Sequence, residues 1–326
     1  MPTGGMLLGK YINIGPGQNP LGGGSRVQQN ILDTGTINAG DSDSACAFVF
    51  GTLNTVSGGC YAIIGSGNIV QENTYKGICM GDTNLIKEDC DDSAVFGSFN
   101  TLYDGSDQGY IFGRNNNTTV TDDMDRGMVI GYLNQVAGAS ESLVVGQSNT
   151  VTDPQHAIVA GSGNTTANAT ANAWGFGVGN TVTAASSRTA FMGWNCTNTA
   201  NANYAIMTGY HAKANIELGL THGGGRLSSV EGSIQFTDIL VACQTTDATQ
   251  TTMVAQQSSG KLRVPLNSSM MFRIDVVARR TGVQTESAAY QILGCIKNDA
   301  GTVALQGSVA VTTIAEGDAA WDVTAV

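Results

Sequence analysis

The sequence predicts an all-β fold, with a parallel β-solenoid of about 16 residues per coil leading, in chain order, to an antiparallel β-sandwich. Three observations carry that expectation. The first is a repeat between Ala47 and Tyr210: three apolar or small residues, a glycine, two variable residues and an asparagine, as in FVFGTLNTV, AIIGSGNIV, AVFGSFNTL and LVVGQSNTV. Its glycines are Gly51, Gly65, Gly81, Gly97, Gly113, Gly131, Gly146, Gly161 and Gly177, with Gly193 and Gly209 in two decayed units, and successive spacings run from 14 to 18 residues. The matching asparagines are Asn54, Asn68, Asn84, Asn100, Asn116, Asn134, Asn149, Asn164 and Asn180. A fixed period of this kind marks a solenoid, in which each unit buries its apolar face against the next. The second observation is the absence of helical spacing in a unit too short for a strand plus a helix, which leaves two short strands joined by a tight turn. The third is composition: 43 Gly, 5 Pro and 13% charged residues suit a β-rich structural protein better than a metabolic enzyme.

Residues 1–34 contain GGMLLGKYINIGPGQNPLGGGS, turn-rich and irregular, and are expected either to cap the first coil or to attach to a partner. Gly35 and Asn38 lie one 16-residue step before Gly51 and Asn54 and open the repeat domain, 35–219. Within each coil, Gly takes positive φ without strain and Asn tolerates the left-handed region, so GxxN is expected to close the turn. Stacked about 4.8 Å apart, the Asn amides would also hydrogen-bond from coil to coil. Ahead of each glycine two successive positions are apolar: Val49, Ile63, Cys79, Val95, Ile111, Val129, Val144 and Val159 at one, Phe50, Ile64, Met80, Phe96, Phe112, Ile130 and Val145 at the next. Alternate strand residues face opposite sides. A thin coil covers one side with its own interior, and the other is expected to meet a neighbouring chain.

Charge collects in connecting loops at 88–92, 104–107 and 121–125. These match neither an EF-hand nor the nonapeptide calcium repeat and read as a solvated face, with Ca²⁺ binding left open. Beyond Gly209 the period fails. Residues 220–232 read as a linker and 233–326 as the sandwich, from alternating runs such as SIQFTDILVAC, MFRIDVVARR, AAYQILGCIKN and GTVALQGSVAVTTI separated by turn signals. The polar loops 245–251, 281–287 and 297–301 are free of the stacking constraint and are the expected recognition sites.

Units of the form AIIG or LVVG, followed by two residues, a turn residue and a second short strand, resemble the head repeats of trimeric autotransporter adhesins, which also occur in bacteriophage tail fibres. The resemblance covers roughly 35–219, just over half the chain. It implies a left-handed parallel β-roll in each of three chains packed about one axis, hence a homotrimer. MFRIDVVARR, AAYQILGCIKNDAGTVAL and EGDAAWDV together look like the terminal domain found after such repeats in phage tail-fibre proteins, which implies further strands beyond Val326. The sequence departs from the commonest adhesin pattern by a longer coil and by Asn where a small residue is usual.

A formal charge of -11 lacks the basic face of a nucleic-acid binder and disfavours docking on anionic membrane. No apolar run approaches a transmembrane helix, and MPTGGMLLGKYINIG lacks the charged start and apolar core of a secretory signal, so assembly in a cytoplasm is expected. Seven cysteines without a CxxC pair are expected to be reduced, with Cys79 a small core residue. His156, His211 and His222 lack metal-ligand spacing, and the first two read as exposed filler. With no GxSxG, no GxxxxGK and no nucleophile beside a base, neither catalysis nor a cofactor or metal is expected. A hexapeptide acyltransferase would repeat every six residues, and polysaccharide-cutting tailspikes set paired carboxylates on wider coils. The expected function is a structural and adhesive fibre, a phage tail fibre of the virion assembled in host cytoplasm. Its expected partners are itself, a host surface receptor of glycan or protein, and other tail proteins. A bacterial trimeric surface adhesin and a glycan-cleaving tailspike are the alternatives.

Overall fold

The computed structural model describes residues 13–14, 30–32, 36–37, 48–56, 61–71, 74, 76–118, 125–138, 140–152, 156–166, 172–182, 188–198, 202–214, 218–227, 230–245, 251–253, 264, 266–280, 286–319 and 321–324. No helix occurs among the described residues. Most of the segment 1–34, Asn38, Cys46, Cys60, residues 121–124 of the third acidic loop, and most of the loops 245–251 and 281–287 lie outside them. The chain divides into two units, Met1–Gly260 and Lys261–Val326.

The first unit is a parallel β-solenoid with a spacing of about 16 residues. Each turn contributes one longer and one shorter strand, for example Ala94–Ser98 and Thr101–Leu102. The longer strands stack into a 14-stranded sheet and the shorter ones into a 13-stranded sheet. Pairing is parallel and holds the repeat in register, with Gly81, Gly97, Gly113, Gly131 and Gly146 each opposite the next. Register follows from the pleat: a slip of one residue would turn every inward valine outward.

Alternation fills the interior from both sheets. Val95, Ile111, Val129 and Val144 point in from the longer strands, and Ile86, Leu102, Val136 and Val151 from the shorter, all essentially inaccessible to solvent. Each such side chain contributes about 1.5–3 kcal/mol on burial. A third inward row, just before the longer strand's apolar run, holds small residues such as Ser93, Ser142, Ala157, Ala173 and Ala205, which lets the coil stay narrow.

The stretch 220–232, expected to be a linker, is strand instead at 220–227 and 230–232. Gly219–Leu227 continues the longer-strand sheet, with Gly209 opposite Gly223, so the glycine run that reads as a loop signal is one more step of the repeat. Val230–Ile239 then returns antiparallel as that sheet's last strand, which places SIQFTDI in the solenoid unit rather than in the sandwich.

The second unit is a four-stranded antiparallel sheet of Ser268–Arg279, Ser287–Asp299, Thr302–Leu305 and Ala310–Glu316. The second layer of the expected sandwich is not among the described residues. Val276, Ala288, Tyr290 and Ile292 are buried on one face, while Arg273, Asp275 and Arg279 alternate onto the other. Asn298 Nδ2 donates to Val264 O at 2.8 Å and ties the preceding segment to this sheet.

Candidate functional site

The repeated glycines and asparagines form a spine along one corner of the solenoid. From Gly51 to Gly177 the column glycines have φ between +120° and +138°, and a Cβ on any of them would fall 1.7–2.0 Å from the next glycine's carbonyl oxygen. Glycine is therefore required twice over, by φ and by the approach of one turn to the next. These glycines lie inside the longer strand. The residue in the left-handed region is the one just before each asparagine, as at Leu53 (φ 57°), Thr83 (56°), Phe99 (57°) and Leu133 (55°), with Gly67, Gly163 and Gly179 at the same position. The asparagine does not take the left-handed conformation assigned to it from sequence.

Its task is internal. Asn54 to Asn180 are all buried, and their amides hydrogen-bond from turn to turn. Asn100 shows the pattern. Its Nδ2 donates to Asn84 Oδ1 at 3.0 Å and to Gly113 O at 2.8 Å, and its Oδ1 accepts from the backbone N (3.0 Å) and Nδ2 (3.1 Å) of Asn116. Donors and acceptors of a buried amide are thus used within the ladder, as a low-dielectric interior demands. The ladder stops at Cys196, whose backbone N still donates to Asn180 Oδ1 at 2.9 Å but whose thiol makes only a weak bond to Gly209 O at 3.4 Å.

The outer face of the longer-strand sheet differs in kind. The inward Val159 is flanked by outward Ile158 and Ala160, and the pairing stacks these into in-register columns: Ile158, Trp174, Ala190, Ile206 and Leu220 in one, Ala160, Phe176 and Met192 in the next. A third column runs through Val178, Trp194 and Tyr210. Trp174 (57% accessible), Phe176 (53%), Met192 (62%) and Trp194 (56%) stand largely open to solvent. Further toward the chain start Phe50 is exposed, and Phe96 and Phe112 stack in parallel with centroids 5.0 Å apart. Contiguous apolar exposure on this scale exceeds what isolated surface hydrophobics need. The sequence signal was the second apolar position; it pointed to an outward apolar side through Val145, and the aromatic residues at that face from Trp174 onward lie beyond the positions that carried it.

The histidines divide. His156 is exposed and shares Glu141 with Arg126, at 2.9 and 2.7 Å. His211, expected to be exposed filler, is buried at 1% accessibility, because Val230–Ile239 folds back over the last turn and Gly232 N donates to His211 O at 3.1 Å. His222 Nδ1 lies 2.9 Å from Thr208 Oγ1. In the first acidic loop Cys90 points inward and donates to Tyr103 O at 2.9 Å, and Asp107 Oδ1 accepts from Asp91 N at 3.1 Å. Burial pushes the Cys79 and Cys90 thiols up to about 12. Among the described residues, no three His, Cys, Asp or Glu side chains converge as a metal centre. Comparison with protein-family models, with curated proteins and with solved structures finds no match to this chain.

Proposed function

We propose that this chain is the subunit of a structural and adhesive fibre, a homotrimer in which the outer faces of the longer-strand sheets pack together, serving as a bacteriophage tail fibre that contacts the host surface. The observation that carries the reading is the exposed, in-register apolar face, from Phe50 to Trp194, on a solenoid whose interior is already filled. Burying such aromatic and aliphatic side chains between copies contributes about 1.5–3 kcal/mol for each that becomes fully covered. The net charge of -11 on each chain keeps an extended assembly soluble. Recognition of a host glycan or protein is assigned to the second unit, at the turn Ala300–Gly301; Lys297–Asp299, expected to belong to a loop, are the end of the strand Ser287–Asp299, and three copies of a weak site at the turn would act with avidity.

Native mass measurement tests the assembly and adsorption the function. The full chain is expected at three times its monomer mass, and Phe176→Asp with Met192→Asp is expected to release monomer without loss of β-structure. The trimer is expected to compete with whole phage for adsorption to susceptible cells. A stable wild-type monomer overturns the trimer, and a trimer that never competes on any phage-sensitive host overturns the adhesive role.

A further inference from the structure

A parallel sheet that stops leaves an edge, and this solenoid has a specific device at its last turn. Among the described residues the final shorter strand is Lys213–Ala214. In preceding turns the residue at the Lys213 position donates its backbone N–H to the next turn: Thr165 to Asn180 O, Thr181 to Cys196 O and Thr197 to Ala212 O, each at 2.8 Å. Lys213 has no such turn to meet. Its N–H donates instead to the side-chain Oε1 of Gln235 at 2.9 Å, and Gln235 Nε2 donates back to Lys213 O at 3.2 Å. One residue of a parallel strand bonds its neighbour in this two-way manner, through its N–H and its C=O. The primary amide of Gln235 thus takes the place of the backbone of a turn that is not there.

Two further observations converge on the same segment. Gly232, with φ +75°, donates its N–H to His211 O, and a Cβ on it would fall 2.7 Å from Lys213 Cβ and 2.9 Å from Gln235 Oε1, so only glycine lets the segment lie this close. The longer-strand sheet ends on Val230–Ile239, which runs antiparallel with register shifts between Gly223 and Gly225 and between Gly225 and Leu227. Bulges are one way in which natural sheets refuse an added strand, and the reversed direction breaks the parallel run that a further turn would continue.

We infer that Val230–Ile239 is an end cap, keyed by the Gln235 amide, which closes this edge of the solenoid to strand addition by a second copy of the chain. The uncapped edge would be a repeat of backbone groups that the first turn of another copy matches, head to tail. Such a contact is heterologous and does not close, so it builds filaments. The cap acts on the end of the solenoid and stands whether or not the outer faces of the sheets pair.

The test uses the full chain with Gln235→Leu, which keeps length and removes the amide, beside Gln135→Leu at an exposed site on the shorter-strand sheet. Amide hydrogen exchange and mass as a function of concentration are read together. In Gln235→Leu the Lys213 amide is expected to exchange about tenfold faster, while Thr165 and Thr181 stay protected, and particles are expected to lengthen end to end as concentration rises. Gln135→Leu is expected to match wild type in both. Unchanged exchange at Lys213 overturns the role of Gln235, and faster exchange without lengthening overturns the block to association. Gln235→Glu gives an independent reading should the leucine variant fail to fold. A protonated carboxyl supplies both donor and acceptor, whereas a carboxylate keeps the bond from Lys213 N–H and sets its other oxygen against Lys213 O, so end-to-end lengthening should appear on raising the pH through the carboxyl range and reverse on lowering it; lengthening that ignores pH overturns the inference.

Discussion

Replacing Gly175 by valine probes how one turn's interior depends on the next. Along the inward column the residues are Val144 and Val159, then Gly175, Phe191 and Met207. A Cβ built on Gly175 would fall 1.8 Å from Phe191 Cζ, within the ring itself, so the phenyl group occupies the space that valine fills elsewhere. Gly175→Val alone overpacks the turn and is expected to cost about 3 kcal/mol, the upper part of the usual range because the ring is fully buried and has no exit. Phe191→Val alone leaves a void above Gly175 and is expected to cost about 2–3 kcal/mol, below the range for truncation of phenylalanine to alanine. If the two acted independently the double variant would lose about 5–6 kcal/mol. It instead restores a run of valines like Val144 and Val159, and the expected loss is about 1 kcal/mol, a coupling of several kcal/mol between residues in contact. Denaturant midpoints of the four proteins measure this. A double variant as unstable as the sum of the singles would refute the volume exchange and the inward placement of both side chains.

Gly97→Val and Gly146→Val should each disrupt folding, since a Cβ would fall within 2.0 Å of the next turn's carbonyl oxygen, whereas Asp92→Asn in the acidic loop should leave the melting temperature unchanged; equal effects would contradict the stacked-glycine spine. Asn100→Leu strands the Asn116 backbone N–H and one Nδ2 proton inside the protein, at an expected cost of about 3 kcal/mol, while Cys196→Asn extends the ladder toward Gly209 O and should add about 1 kcal/mol, both read from unfolding curves. Tyr290 is pushed up to about 12, chiefly by donating to the Glu316 carboxylate and then by burial. The folded state therefore favours the neutral phenol. Its stabilisation should be full below the ordinary phenol value of about 10 and fade as pH rises through about 12. Ultraviolet titration should show a late phenolate that Tyr290→Phe abolishes.

Much of the solenoid was legible because its constraints recur. A glycine needed for close approach and an asparagine needed for a continuous amide ladder must appear in every turn, and repetition reveals them. The role of each was harder to read. Leu53, Phe99 and Leu133 carry no left-handed signature, so the strained position was assigned to the polar Asn beside them; the glycines at 67, 163 and 179 were the available clue. Features that occur once left no period to detect. Gln235 is an ordinary glutamine in an alternating run, and its role exists only because the chain folds back by 22 residues onto Lys213. His211 was misplaced for the same reason, since the strand that buries it lies beyond the repeat. The outer aromatic face was half legible: two successive apolar positions foretold an outward apolar side, yet they did not show that tryptophan enters it from Trp174 onward.

The ladder and both sheets place their hydrogen bonds along the solenoid's long axis, which sets how the molecule would answer a pull. Tension along that axis loads the bonds of one turn side by side and the turns one after another, so the weakest turn yields first and the others hold. A turn of about 16 residues adds only about 4.8 Å while folded but roughly 50 Å once drawn out. Failure of a single turn would therefore lengthen the molecule tenfold at that point and drop the force on the rest.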